Sequence, residues 1–249
     1  MKVDTPYAQG TPCWVELMAP DDQRGAIAFY GDVFGWTGEP GPAEFGGYTM
    51  MLLDGLPVAG IGVTMPQQPP TFWATYLAAD EADAVADRVG PAGGQVLAPA
   101  MDVPSVGRIL LAADPTGGMF GVWQAHDFFG ARVVNEPGAW TWNELDTPDA
   151  ETAAPFYADA FGITVAPAAD RPDYRVFTVA DRQVAGLRQV AGPPRWSVYF
   201  AVTDPEATAA ACVRAGGQVL REPADVPGVG RVAVLLDPQD AEFSVVSPG

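Results

Sequence analysis

The sequence predicts an α+β protein made of two tandem βαβββ-type modules, each with a second helix. Three observations carry that expectation: an ordered internal repeat, the alternation of strand-like and helix-like periodicity within each copy, and glycine or proline at the joints. With 249 residues, 48% of them hydrophobic, the chain has enough apolar material to bury a core in each copy.

The repeat comes first because it constrains the fold more than any local propensity. Residues 13–21, CWVELMAPD, align with residues 141–149, TWNELDTPD. Phe29-Tyr30 and Phe34-Gly35 then align with Phe156-Tyr157 and Phe161-Gly162, and Tyr48 with Val58-Ala59-Gly60 aligns with Tyr174 and Val184-Ala185-Gly186. From there the register runs without a gap through Trp73 and Trp196, Tyr76 and Tyr199, and the Gly-Gly-Gln-Val runs at 93–96 and 216–219. It closes on Asp102-Val103-Pro104 to Asp114-Pro115, repeated as Asp225-Val226-Pro227 to Asp237-Pro238. The expected boundaries are therefore a first module at 1–125, a linker at 126–138 and a second module at 139–249.

Within the first copy, residues 14–18 read as a strand, and Pro20-Asp21 supplies an acid suited to cap the helix that follows. That helix places Ile27, Tyr30 and Phe34 on one face, and Gly35 stands where a left-handed cap would end it. Asp54-Gly55 between two apolar runs signals a hairpin joining strands at 48–53 and 56–63. A strand at 71–78, a helix at 80–89 and strands near 95–101, 106–112 and 119–124 complete the copy. The second copy repeats the order, with its second helix at 204–215.

Composition excludes several classes of function. Thirty-one acids against thirteen bases give a formal charge of −18, a surface that repels phosphate backbones and anionic headgroups, so neither nucleic acid nor a membrane is an expected partner. No apolar stretch approaches the roughly 20 residues of a membrane-spanning helix. An acid and a proline stand where a secretory signal would be apolar, and the expected location is cytoplasmic. Cys13 and Cys212 lack the CxxC spacing of a zinc or redox site, and His126 is the sole histidine. The alanine-rich, lysine-poor composition suits a high-GC bacterial source and secondary metabolism.

The paired W-x-E-L-x-x-P-D segments, the F-Y and F-G pairs and the D-P turn before the last strand resemble the vicinal-oxygen-chelate superfamily, over about residues 11–247. That superfamily includes glyoxalase I, bleomycin-resistance proteins and extradiol dioxygenases, so the resemblance implies the fold, curved mixed β-sheets forming cups with helices on their outer faces, more narrowly than the chemistry. It also implies metal-ligand positions on the first and last strand of each copy. Those positions hold Trp14 and Trp142, and Gly121 and Ser244, residues poorly suited to a divalent metal. Neither a metal nor another cofactor is expected.

Because residues i and i+2 share a face of a strand, Trp14 with Glu16, and Trp142 with Glu144, are expected on the cup walls. Gly121 with Trp123, and Ser244 with Val246, would line the same hollows. Trp14, Trp123, Trp142, Tyr48 and Tyr174 are the candidate aromatic surfaces for a ligand, against the alternative that they fill the core. Trp73 and Trp196, each after a Pro-Pro pair or close to one, read as scaffold, with Tyr76 or Tyr199 near a rim. Glu16 and Glu144 are the candidate proton carriers, against a structural hydrogen bond. Arg108 and Arg231 could neutralise an acidic ligand, or could pair with Asp102 and Asp225.

The expected function is metal-independent binding of an apolar or aromatic small molecule in a Trp-lined cup. Two classes stay open: an isomerase, cyclase or lyase using Glu16 or Glu144, and a non-catalytic protein that sequesters a drug or metabolite. A third reading keeps metal-dependent lyase or dioxygenase chemistry, with the two glutamates as displaced ligands. Two modules in one chain can complete their cups within a monomer, so a homodimer is compatible but not required. The first cup, richer in indole, is the expected ligand site.

Overall fold

The computed structural model describes residues 1–19, 23–42, 46–63, 71–169 and 171–249. Its first half runs β1 (Pro12–Ala19), α1 (Gln23–Phe34), β2 (Thr49–Leu53), β3 (Leu56–Val63), β4 (Phe72–Ala78), α2 (Ala82–Val89), β5 (Gln95–Val103), β6 (Gly107–Ala113) and β7 (Met119–Ala125). The second half runs β8 (Trp140–Thr147), α3 (Ala150–Phe161), β9 (Thr164–Ala168), β10 (Arg171–Val179), β11 (Arg182–Gln189), β12 (Arg195–Ala201), α4 (Pro205–Arg214), β13 (Gln218–Val226), β14 (Gly230–Leu236) and β15 (Glu242–Pro248). The expected α+β class with two curved mixed sheets holds.

The strand orders are β2-β3-β1-β4-β7-β6-β5 and β13-β14-β15-β12-β8-β11-β10-β9. In each, the first strand of the half pairs antiparallel with the strand that begins its second part, β1 with β4 and β8 with β12. Each half is thus two smaller strand–helix–strand units meeting at its centre. Among the described residues, the first lacks only the counterpart of β9, replaced by an isolated bridge between Thr37 and Leu52.

Local chemistry explains the joints. Gly35 and Gly162 end α1 and α3 in the left-handed region, at φ 75° and 69°, with amides donating to Gly31 and Ala158 carbonyls. Asp54 and Gly55 both take positive φ, 50° and 77°, the primed turn their pairing predicts. Asp149 caps α3 by accepting from the Thr152 amide at 3.0 Å. Its counterpart, the predicted Pro20-Asp21 cap, lies outside the described residues, as does the Pro-Pro pair before Trp73. The inward face of α1 carries Ala26, Phe29, Tyr30 and Phe34, with Ile27 at its margin rather than at its centre.

The two halves meet on the convex, helix-bearing faces of their sheets, and the contact is crossed. Tyr30 of α1 donates its hydroxyl to Asp237 in the D-P turn of the second half at 2.9 Å, and Tyr157 of α3 donates to Asp114 in the first-half turn at 3.0 Å. Each hydroxyl also accepts from an indole of its own half, Trp73 at 3.0 Å and Trp196 at 3.2 Å. The aspartates use their other oxygen to hold the turn, Asp237 from the Gln239 and Ala241 amides and Asp114 from the Thr116 and Gly118 amides. Burial raises the Asp237 carboxyl above its ordinary range, against the lowering effect of these donors. Between the sheets, Asn143 Nδ2 donates to Thr75 Oγ1 at 2.6 Å. Phe34, Trp36, Trp73, Phe200 and Phe243 form one aromatic core that draws on both halves.

Tyr157→Phe would leave a buried Asp114 oxygen and the Trp196 N–H without this partner while hardly changing volume. The expected loss is about 1–3 kcal/mol in urea-unfolding stability, the cost of unsatisfied buried polar groups. Tyr30→Phe should cost a similar amount, and both variants should unfold in a single transition shared by the two halves.

Candidate functional site

Alternation along β1 and β8 puts Val15, Leu17 and Asn143 on the helix side and turns Trp14, Glu16, Trp142 and Glu144 to the concave faces. Each hollow then contains the same four groups. In the first, Trp14 Nε1 donates to Tyr48 Oη at 2.9 Å, and the phenols of Tyr48 and Tyr76 both hydrogen-bond to the buried Glu16 carboxyl. In the second, Trp142 Nε1 donates to Tyr174 Oη at 3.1 Å, Tyr199 Oη donates to Glu144 Oε1 at 3.1 Å, and Tyr174 also bonds to Glu144. Glycine on the neighbouring strand makes this possible. A Cβ at Gly60 would lie 2.1 Å from Tyr48 Oη, and one at Gly186 would lie 1.8 Å from Tyr174 Oη.

The two hollows differ beside the glutamate. Glu144 meets Arg188 Nη2 at 3.3 Å, and Asp146, two residues along the same face, takes Arg188 Nη2 at 2.8 Å and Arg195 Nη2 at 3.4 Å. The aligned positions in the first half are Gly62, Met18 and Phe72, none of them charged. Glu16 Oε1 lies over Gly62, 2.3 Å from where a Cβ would stand, with Met18 Sδ close by. Burial therefore acts on Glu16 without a cation to oppose it, and lifts its carboxyl from the usual 4.5 to about 7 against the lowering effect of the two phenols. Burial, then the Glu16 charge, pushes the Tyr48 and Tyr76 hydroxyls well above their ordinary value, so both serve as donors. This asymmetry is legible in the repeat alignment as Gly62 against Arg188 and Met18 against Asp146, but only once the strands are paired.

Of the two readings open for Arg108 and Arg231, pairing with Asp102 and Asp225 is the one the structure shows. Arg108 and Arg231 share the helix-side face of β6 and β14, and they pair with carboxylates there. Arg108 holds Asp83 at 3.0 Å and Asp102 at 2.7 Å, and Arg231 holds Asp225 at 3.0 Å together with Glu206. Trp14 and Trp123 face a covered surface rather than an open one. Phe128, from the expected linker, stands edge-on to Trp14 at 5.0 Å and near Trp123 at 6.1 Å, and its carbonyl accepts the Trp123 indole N–H at 2.8 Å. Trp142 and Tyr199 in the second hollow are only half-buried, so the second cup is the more exposed of the two. Tyr48 and Tyr174 belong to the hollows but act as hydrogen-bond bridges between indole and carboxylate.

The metal positions of the superfamily fail on chemistry. The Trp14 and Trp142 nitrogens are N–H donors committed to tyrosines. Gly121 offers no ligand atom, and the Tyr76 ring occupies the space where its side chain would begin, 2.1 Å from an added Cβ. Ser244 is buried beside its strand partner Tyr199. Among the described residues, no group of three or more His, Cys, Asp or Glu side chains is gathered as a metal site. No helix among them is long and apolar enough to cross a membrane.

Two curved mixed sheets built from tandem modules have the architecture of the vicinal-oxygen-chelate superfamily. The chain belongs to the glyoxalase-like family of that superfamily, whose glyoxalase-like domain matches residues 142–246. A Mycobacterium tuberculosis relative named "Putative glyoxylase CFP32" is 46% identical over 97% of this chain and 96% of its own length. The "Anthracycline biosynthesis protein DauV" of Streptomyces sp. strain C5 is 38% identical over 97% of this chain and 94% of the relative. At the level of fold, the Mn(II)-bound glyoxalase from Novosphingobium aromaticivorans superposes with a TM-score of 0.66 at 17% identity, covering 96% of this chain and 82% of that one. The 2,3-dioxygenase LapB of Pseudomonas sp. KL28 does so with 0.66 at 13% identity, covering 98% and 94%.

The Glu16 environment has a consequence for stability. A carboxyl whose folded value lies near 7 and whose unfolded value lies near 4.5 contributes stability that is fully present below 4.5 and is lost as the pH rises through 7. Relative to the parent, Glu16→Gln should therefore gain on the order of 3 kcal/mol at pH 8 over its standing at pH 4.5, the equivalent of that shift. Urea midpoints at the two pH values measure this, and a difference independent of pH would contradict the assigned environment.

Proposed function

We propose that the protein is a metal-independent acid–base catalyst, of the isomerase, cyclase or lyase kind, that acts on an apolar or aromatic small molecule in the first hollow. Glu16 is the proton carrier. The observation that carries this reading is the contrast at one pair of aligned positions: Arg188 answers the charge of Glu144, whereas Glu16 Oε1 itself takes up the space over Gly62, and among the described residues no cation pairs with it. A carboxyl with a value near 7 exchanges protons at little cost on either side of neutrality, which suits abstraction beside a carbonyl and return at a neighbouring atom. The Tyr48 and Tyr76 hydroxyls stay protonated and can stabilise developing negative charge on the reacting oxygen.

In the same reading Glu144, tied to Arg188 and Tyr199, organises the second hollow and does not turn over substrate. The name of the Streptomyces relative supports aromatic, natural-product-like ligands, and the half-buried Met18 and Ala74 give the Glu16 end of the hollow an apolar border.

A panel of planar aromatic ketones, screened by tryptophan quenching and then by proton–deuterium exchange in D2O, tests the proposal. The expected outcome is exchange with an inflection near pH 7 in the parent protein. Glu16→Gln should lower the rate by about 100-fold or more with binding retained, the usual scale for a general acid–base group. Glu144→Gln should change it little, and EDTA treatment should leave it intact. Binding without exchange would overturn the catalytic assignment in favour of sequestration, and loss of activity on chelation would overturn metal independence.

A further inference from the structure

The linker is not a passive tether, and what it does on the first half exposes an equivalent place on the second. Residues 129–132 dock into the open corner where β1 and β3 start level but pair only from Glu16 and Gly60 onward. The Ala131 amide donates to the Cys13 carbonyl at 2.9 Å, and the Arg132 amide donates to the Pro57 carbonyl at 2.8 Å. Gly130 passes so close that a Cβ would lie 2.2 Å from the Cys13 oxygen. Just before this contact, the Phe128 ring stands edge-on against Trp14.

In the second half, the positions that align with Cys13, Trp14 and Pro57 are Thr141, Trp142 and Gln183. All three line an open groove of about 720 Å³. Its other wall is the N-terminal segment, with Val3 and Tyr7 turned to the groove, held in place where Lys2 bridges Val133 and Tyr7 Oη donates to the Ala131 carbonyl at 2.7 Å. The groove is the quasi-symmetric counterpart of the corner that Phe128 to Arg132 occupy on the first half.

We infer that this groove is a second ligand site, distinct from the Glu16 hollow, that takes an aromatic amide. The first half shows the mode of recognition with its own chain. An aromatic ring packs edge-to-face on Trp142 as Phe128 packs on Trp14, and amide N–H groups donate to the Thr141 and Gln183 carbonyls as the Ala131 and Arg132 amides donate to Cys13 and Pro57. Apolar Val3, Val184 and the Tyr7 ring close the remaining sides, so the ring leaves water on binding. Trp142 is half-buried and can offer an edge, whereas Trp14 is already covered.

The probe is the capped pentapeptide acetyl-Phe-Phe-Gly-Ala-Arg-amide, which copies residues 128–132, titrated into the full-length protein by calorimetry. Saturable binding below ~1 mM is expected, together with at least about tenfold weaker binding of the control in which both phenylalanines are alanine. Thr5→Trp, an exposed change on the N-terminal wall, should fill the groove and weaken binding by about tenfold or more with unfolding unchanged, and Trp142→Leu should weaken binding as much while also losing the stability of the Tyr174 hydrogen bond. Glu16→Gln should leave the affinity as it is, which separates this site from the catalytic proposal. Equal binding of the alanine control, insensitivity to Thr5→Trp, or no saturable heat would each overturn the inference.

Discussion

Two buried hydrogen bonds, from Tyr30 to Asp237 and from Tyr157 to Asp114, decide how the molecule is assembled. Each runs from a helix of one half to the turn that begins the last strand of the other. Because an indole of the helix's own half also binds the same tyrosine, the three residues form a relay from sheet to helix to the opposite turn. The motifs that recur in the sequence, F-Y, the lone Trp and D-P, are the three parts of that relay. None is complete within its own copy. The concave faces can therefore be given over to polar side chains and half-exposed indoles, since the burial that holds the fold lies on the opposite faces.

Much of this was open to reading from the sequence. Strand alternation places Trp14 with Glu16 and Trp142 with Glu144 on the concave walls, and the turn and cap residues at Asp54-Gly55, Gly35 and Gly162 do what their chemistry requires. What could not be read depends on distant pairing. Arg108 looks available until β5 and α2 bring Asp102 and Asp83 beside it. Trp14 and Trp123 look like ligand platforms until the chain after β7 returns to place Phe128 across them. Asp146 and Arg188 draw no notice in a search for identical residues, because their importance lies in being different from Met18 and Gly62.

The duplication thus yields two hollows with one inherited quartet and two electrostatic settings. In the second, a guanidinium beside Glu144 answers its charge and is itself shared with Asp146. In the first, the same carboxyl position is left with phenols alone, and desolvation governs it. Three substitutions, Gly62 against Arg188, Met18 against Asp146 and Phe72 against Arg195, separate the settings without any change in backbone pairing, since Gly60 with Glu16 and Gly186 with Glu144 keep the same register.

The segment between the halves repeats more than its composition suggests. Gly138 and Ala139 make the same exchange of amide and carbonyl with Ala201 that Gly10 and Thr11 make with Ala78, so the stretch before each half is part of the duplicated unit. The crossed tyrosine relays extend that mutual dependence to heredity. A mutation in either helix is judged by a turn of the other copy, 207 residues from Tyr30 and 43 from Tyr157, so the two copies cannot drift apart in their shared interior, and divergence is channelled to the concave surfaces, where each is free to acquire its own chemistry.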